Sequence, residues 1–146
     1  MAMIENAFKD GIRKDDHFIN WGANNICKGI SQYPNYGDNV NTWCPVQMNG
    51  NEYLDIEYEH PVFITEVHVY ETLQPGSTCK ISVMEYHEDD SHGDWIVLWE
   101  DQSVVTSAGS ASRDFSPPIQ SSVFTKRIRV DLKITNAWSE IDTVCS

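Results

Sequence analysis

The 146-residue chain offers four groups of side chains whose chemistry bears on function. The stretch Asn35-Tyr-Gly-Asp-Asn-Val-Asn-Thr-Trp-Cys-Pro45 is too polar for a core strand and too aromatic for a linker. A loop bent at Gly37 can point several carbonyls and the Asp38 carboxylate at one spot, as a hard cation requires. Alternatively, Asp38 and Asn35 bond to their own backbone in side-chain turns. Glu71, at the end of an alternating strand, falls on the same face as Val67 and Val69, where an unpaired carboxylate is costly. Arg113 is its natural partner, because a guanidinium fork fits a carboxylate. That reading makes a structural ion pair; the alternative is that both grip a polar ligand. Trp21, Tyr33, Tyr36, Trp43 and Trp138 fall in or beside loops, where aromatic faces stack on sugar rings or anchor protein contacts. Trp43 and Trp138 are read as plugs at the ends of the fold, with Trp138 retained as a ligand candidate. Trp95 and Trp99, on a strand, are read as core. Finally, His87 to His92 reads as a solvated hairpin tip rather than a transition-metal site.

None of these groups makes a catalytic set. No G-x-S-x-G, H-E-x-x-H or phosphate loop is present, and the five histidines have no nucleophile beside them in the sequence. The sequence reads as a non-enzyme.

Ten Lys and Arg against 22 Asp and Glu give a formal charge of −12. Such a chain repels nucleic acid and anionic membranes at long range. The cationic cluster Lys126, Arg127 and Arg129 alternates with Ile128 and Val130, as the wet face of a strand does. No apolar run is long enough for a membrane helix, and the first residues lack the apolar block of a secretory signal. A cytoplasmic protein or a trimmed secreted domain both fit, so localisation stays open, as does oligomeric state. Cys27, Cys44, Cys79 and Cys145 have no zinc-knuckle spacing. If the first and last strands adjoin, Cys27 can meet Cys145 and leave Cys44 for Cys79; the alternative is four reduced thiols.

The elements that must position these groups are strands. Period-2 alternation marks 52–60 (Leu54, Ile56 and Tyr58 inward), 62–72, 79–86 (Cys79, Ile81, Val83), 94–100 and 126–134 (Ile128, Val130, Leu132). Pro61 is expected to interrupt the first two. Weaker strands are expected at 17–21 and 140–145, and 2–14 is the best, though short, helix candidate. Turn signals at 74–77, 88–94, 107–112 and 116–118 separate them. The expected fold is all-β, a jelly-roll antiparallel β-sandwich forming one domain over 1–146 with its ends close together.

In order along the chain, Tyr33-Pro-Asn-Tyr-Gly-Asp-Asn-Val-Asn-Thr-Trp-Cys-Pro45, Tyr70-Glu-Thr-Leu-Gln-Pro-Gly76, Trp95-Ile-Val-Leu-Trp-Glu100, Ser112-Arg-Asp-Phe-Ser-Pro-Pro-Ile119 and Trp138-Ser-Glu-Ile-Asp-Thr-Val144 resemble the galactose-binding-like domains of the discoidin or coagulation-factor C type. The likeness spans 33–145 and is greatest to the subgroup found in pappalysins and an F-box/leucine-rich-repeat protein. The resemblance implies a non-catalytic binding module, lectin-like and directed at carbohydrate or glycoconjugate through loops at one end of the sandwich. Adaptor members imply the alternative, protein recruitment or a structural subunit using the same surface. It also implies a structural calcium ion, with Asp38, Asn41 or Thr42, and Glu140 as counterparts of the family's ligands. Here Cys44, Cys79 and Thr42 replace small or apolar residues of the pattern, and Tyr36 stands at a customary acidic position.

Overall fold

The computed structural model describes residues 3–8, 25–28, 31–89, 93–106, 109–120 and 122–145. Its order is β1 (Met3–Phe8), α1 (Asn25–Lys28), β2 (Gly50–Ile64), β3 (His68–Leu73), β4 (Thr78–Glu85), β5 (Trp95–Glu100), β6 (Arg113–Phe115), β7 (Val123–Ile134) and β8 (Glu140–Cys145). A five-stranded sheet, β1-β2-β7-β4-β5, faces a three-stranded sheet, β6-β3-β8. Every pairing is antiparallel. The sandwich expected from the alternation is therefore the fold observed.

Alternation decides which side chains fill the gap between the sheets. Leu54, Ile56 and Tyr58 of β2, Ile81 and Val83 of β4, and Ile128, Val130 and Leu132 of β7 meet Val67, Val69, Ile141 and Val144, all fully buried. The opposite face of β7 carries Arg127 and Arg129, as read. Arg129 bonds Asp55 through Nε and Nη2 at 2.5 and 2.7 Å. Its guanidinium stacks on Tyr53 and Trp95 at 4.1 and 4.4 Å.

Several local expectations are corrected. Pro61 does not end a strand: β2 runs through it at an irregularity where the register with β7 slips between Glu57 and Val62, a bulge position that tolerates proline. The break falls at 65–67, which resets the phase, so Ile64 points inward and Phe63 is 68% exposed. Trp95 is not core; it pairs with Met84 on the outer face, while Trp99 packs edge-on against Phe115 at 5.0 Å. Residues 3–8, inside the helix candidate, form a strand because β2 offers an edge there. The expected strand at 17–21 lies outside the described residues. The first and last strands belong to different sheets, and Cys44, Cys79 and Cys145 are free thiols. Neither disulfide is formed; the Cys27 side chain lies outside the described residues. Among the described residues no helix is long and apolar enough to cross a membrane.

Candidate functional site

The loop 35–45 lies along β8. Gly37 takes φ 138, a conformation that favours glycine, and its N–H donates to the Thr72 carbonyl at 3.0 Å. Trp43 exchanges two backbone hydrogen bonds with Ile141, at 2.8 and 2.9 Å, and its side chain is 1% exposed. Trp43 is thus the plug the sequence suggested. Between these points sits Glu140, itself buried. Its Oε2 accepts from Thr42 Oγ1 at 2.7 Å and from the Asn39 N–H at 3.0 Å. Burial pushes Glu140 up to about 7; the Thr42 and Asn39 donors oppose the rise, and a hydrogen bond with the Asp38 carboxyl adds to it. Burial, with the charges of Glu140 and Asp38, also pushes the Cys44 thiol up to about 12. Asp38 and Glu140 therefore do meet. Asn41 is exposed, and its N–H donates to Asn39 Oδ1 at 2.9 Å. Among the described residues no three His, Cys, Asp or Glu side chains form a metal-binding cluster.

Glu71 lies at the end of β3, 1% exposed. Its Oε2 accepts from Arg113 Nε at 2.6 Å, and its Oε1 from Thr78 Oγ1 at 2.9 Å and the Gly76 N–H at 3.3 Å. The pairing inferred from the sequence is present. The carboxylate serves the β3–β4 turn rather than the surface.

The loops at this end of the sandwich come together through hydrogen bonds, most of them between a backbone group and a side chain. Ala137 N–H donates to the Met48 carbonyl at 3.0 Å, Asn136 N–H to Asn49 Oδ1 at 2.7 Å, and Thr135 N–H to Thr106 Oγ1 at 3.3 Å. Ser139 Oγ donates to the Gln74 carbonyl at 3.2 Å, and Tyr36 OH accepts from the Gln74 N–H at 3.5 Å. The segments 46–49, 74–76, 105–106 and 135–139 thus form one rim. It carries exposed apolar groups: Val46, Met48, Val105 and Trp138, the last 44% exposed. Trp138 is therefore not a plug, because β8 begins only at Glu140 and the preceding turn turns the indole outward. Val46, Met48 and Val105 were missed in the sequence. The available signal was apolar residues inside otherwise polar turns, which is weak by itself.

Tyr36 and Trp138 belong to the rim or its border, with the Glu71–Arg113 pair beneath it. Tyr33 lies elsewhere, its ring 4.7 Å from that of Tyr70 on β3. Trp21 is outside the described residues. At the opposite end of the sandwich, His87 sits beside Glu85 at 3.7 Å and is well exposed, while 90–92 are not described.

The sandwich has structural counterparts. Over 98% of this chain and 94% of theirs, it matches chitosan-binding module 1 of a chitosanase/glucanase from Paenibacillus sp. IK-5 with a TM-score of 0.63 at 14% identity. The fold is galactose-binding-like. CpGH89CBM32-6 of Clostridium perfringens matches at TM-score 0.53 and 13% identity, over 95% of this chain and 89% of that one. A fucosidase of Ruminococcus gnavus matches at 0.54 and 12%, over 86% of this chain and 22% of its own. No family model matches. By sequence, F-box/LRR-repeat protein 4 of Bos taurus is 27% identical over 107 residues, 68% of this chain. The chain spans 17% of the length of that relative.

Proposed function

We propose that this galactose-binding-like domain is a non-catalytic carbohydrate-binding module that uses the rim formed by 46–49, 105–106 and 135–139. The observation that carries the reading is the composition of the rim. An exposed indole and three aliphatic side chains are set among Asn49, Asn136, Thr106 and Gln74. A pyranose presents an apolar C–H face and a polar hydroxyl edge, and a site of mixed aromatic and amide chemistry meets both. The modules of like fold from Paenibacillus and Clostridium support it. Depletion of the protein from solution by insoluble chitosan, pectin and β-glucan tests it, with product analysis alongside. Retention of the native chain and its loss with Trp138→Ala, without release of sugar, is expected. Retention unchanged by that substitution overturns the assignment of the rim.

The F-box/LRR-repeat relative favours a second reading, in which the same rim holds a protein partner. A pull-down on the native chain that captures one protein stoichiometrically, beside no polysaccharide retention, decides for it.

The loop 35–45 is proposed as a calcium site. Asp38, Asn41 and Glu140 offer only oxygen donors, which suits calcium. Two carboxyl groups in contact need a proton or a cation between them. Calcium there would fix the loop to the first residue of β8; the competing occupant is the proton that Glu140 holds.

A further inference from the structure

The outer face of the three-stranded sheet carries a second aromatic group, away from the rim. Because Val69 and Glu71 point inward, His68 and Tyr70 point outward. Their rings are nearly parallel, 15° between planes and 6.1 Å between centroids. Tyr33 leans over Tyr70 at 48° and makes a wall. That wall is held firmly: the buried Asp142 carboxylate accepts from Ser31 Oγ at 2.7 Å, the Gln32 N–H at 2.9 Å and the Tyr33 N–H at 2.9 Å. Ser112 Oγ then clamps the Pro34 carbonyl at 2.6 Å. On the other side stands Asp114 of β6, paired with Tyr70 across the sheet edge. Its Oδ1 lies 2.9 Å from His68 Nδ1, and Glu66 Oε2 lies 3.8 Å from His68 Nε2.

The surroundings are acidic. Burial raises the Tyr70 hydroxyl, and the Asp114 and Glu66 carboxylates beside it add to the rise. Of the cations whose side chains are described, Lys80, Lys126, Arg127, Arg129 and Lys133 are on the five-stranded sheet, and Arg113 is engaged with Glu71.

We infer that Tyr33, Tyr70, His68 and Asp114 form a second sugar site, which takes a protonated amino sugar. The inference rests on the carbohydrate reading of the fold and adds a place and a ligand class to it. The tyrosine rings receive the C–H face of the pyranose and attract its ammonium group. Asp114 and Glu66 supply the opposite charge, and His68 a hydrogen-bonding nitrogen for a hydroxyl. The net charge of −12 draws a cationic oligomer toward the surface. From Tyr70 to the end of β3 at Leu73, next to the rim turn, is three steps of strand, about 10 Å, so the two sites bind separate units.

The test is a titration of the full chain, followed by backbone amide shifts, with glucosamine hexamer, N-acetylglucosamine hexamer, cellohexaose and lysine hexapeptide. Saturating shifts at His68, Tyr70 and Asp114 with the glucosamine hexamer, at least tenfold weaker with the other sugars and the peptide, are expected. Asp114→Asn should weaken them tenfold or more, with the rest of the amide spectrum unchanged; Trp138→Ala should leave them within twofold. Equal shifts from all three sugars overturn the amine preference. Equal shifts from the peptide overturn the sugar in favour of a cationic protein segment. Shifts confined to 46–49, 105–106 and 135–139 overturn this site while preserving the rim, and no shift with any sugar removes both.

Discussion

Arg113→Ala isolates the ion pair beneath the rim. Glu71 is almost wholly buried, and the guanidinium provides its short 2.6 Å bond. A hydrogen bond to a charged group contributes about 1.5–3 kcal/mol, and breaking a fully buried pair costs about 3–5 kcal/mol. The Arg113 side chain is 39% exposed, so water reaches the vacated place, and Thr78 and the Gly76 N–H remain on the other oxygen. These facts put the cost near the lower range, about 2–3 kcal/mol including the stack on Phe115 at 4.3 Å. For a chain of this size that is a fall in melting temperature of roughly 4–12 °C. Urea unfolding of the native chain, Arg113→Ala, Glu71→Gln and the double variant measures it. The cycle should give a coupling of at least about 1.5 kcal/mol. An Arg113→Ala change within about 0.5 kcal/mol of native, the range of an ordinary surface substitution, refutes the reasoning and returns the pair to ligand binding.

Trp43→Ala empties a filled position between the loop and β8 and should cost about 3–5 kcal/mol, read as a lower urea midpoint. In chelator, Glu140 should make stability depend on pH. Its folded value of about 7 lies above the ordinary 4.5, so the native state retains a proton that the unfolded chain releases. The contribution is full below pH 4.5 and lost as pH rises to 7, by about 3 kcal/mol; Glu140→Gln, compared with native across that range, should remove the slope. If calcium occupies the loop, millimolar calcium at pH 7.5 should raise the melting temperature of the native chain and leave Asp38→Ala unmoved; an unmoved native chain leaves the proton as the occupant.

Much of this architecture is legible in the sequence where burial is one-sided. Ile128, Val130 and Leu132 alternate with charged residues, so a single register satisfies them, and the Glu71–Arg113 pair follows from the same period. The Pro61 reading failed because a proline at a register irregularity removes no needed ladder bond. Trp95 was misplaced because a run such as Trp-Ile-Val-Leu-Trp is apolar on both faces, and the Arg129 and Arg127 guanidinium groups on the outside give one indole a reason to face out. The rim itself was hidden. Val46, Met48, Val105 and Trp138 are separated by up to ninety-two positions and are joined by hydrogen bonds between turns, most of them from a backbone group to a side chain. The Tyr33–Tyr70 contact is likewise long-range, set by Asp142, whose carboxylate reads in the sequence as one more acidic residue of a strand.

A glycan array probed at millimolar calcium with the native chain and with Trp138→Ala addresses the rim most directly. Binding of a discrete set of glycans by the native chain, with at least tenfold loss for the variant, is the result predicted. Native binding to no glycan, or the same set bound equally by both proteins, contradicts a carbohydrate site built on this loop rim.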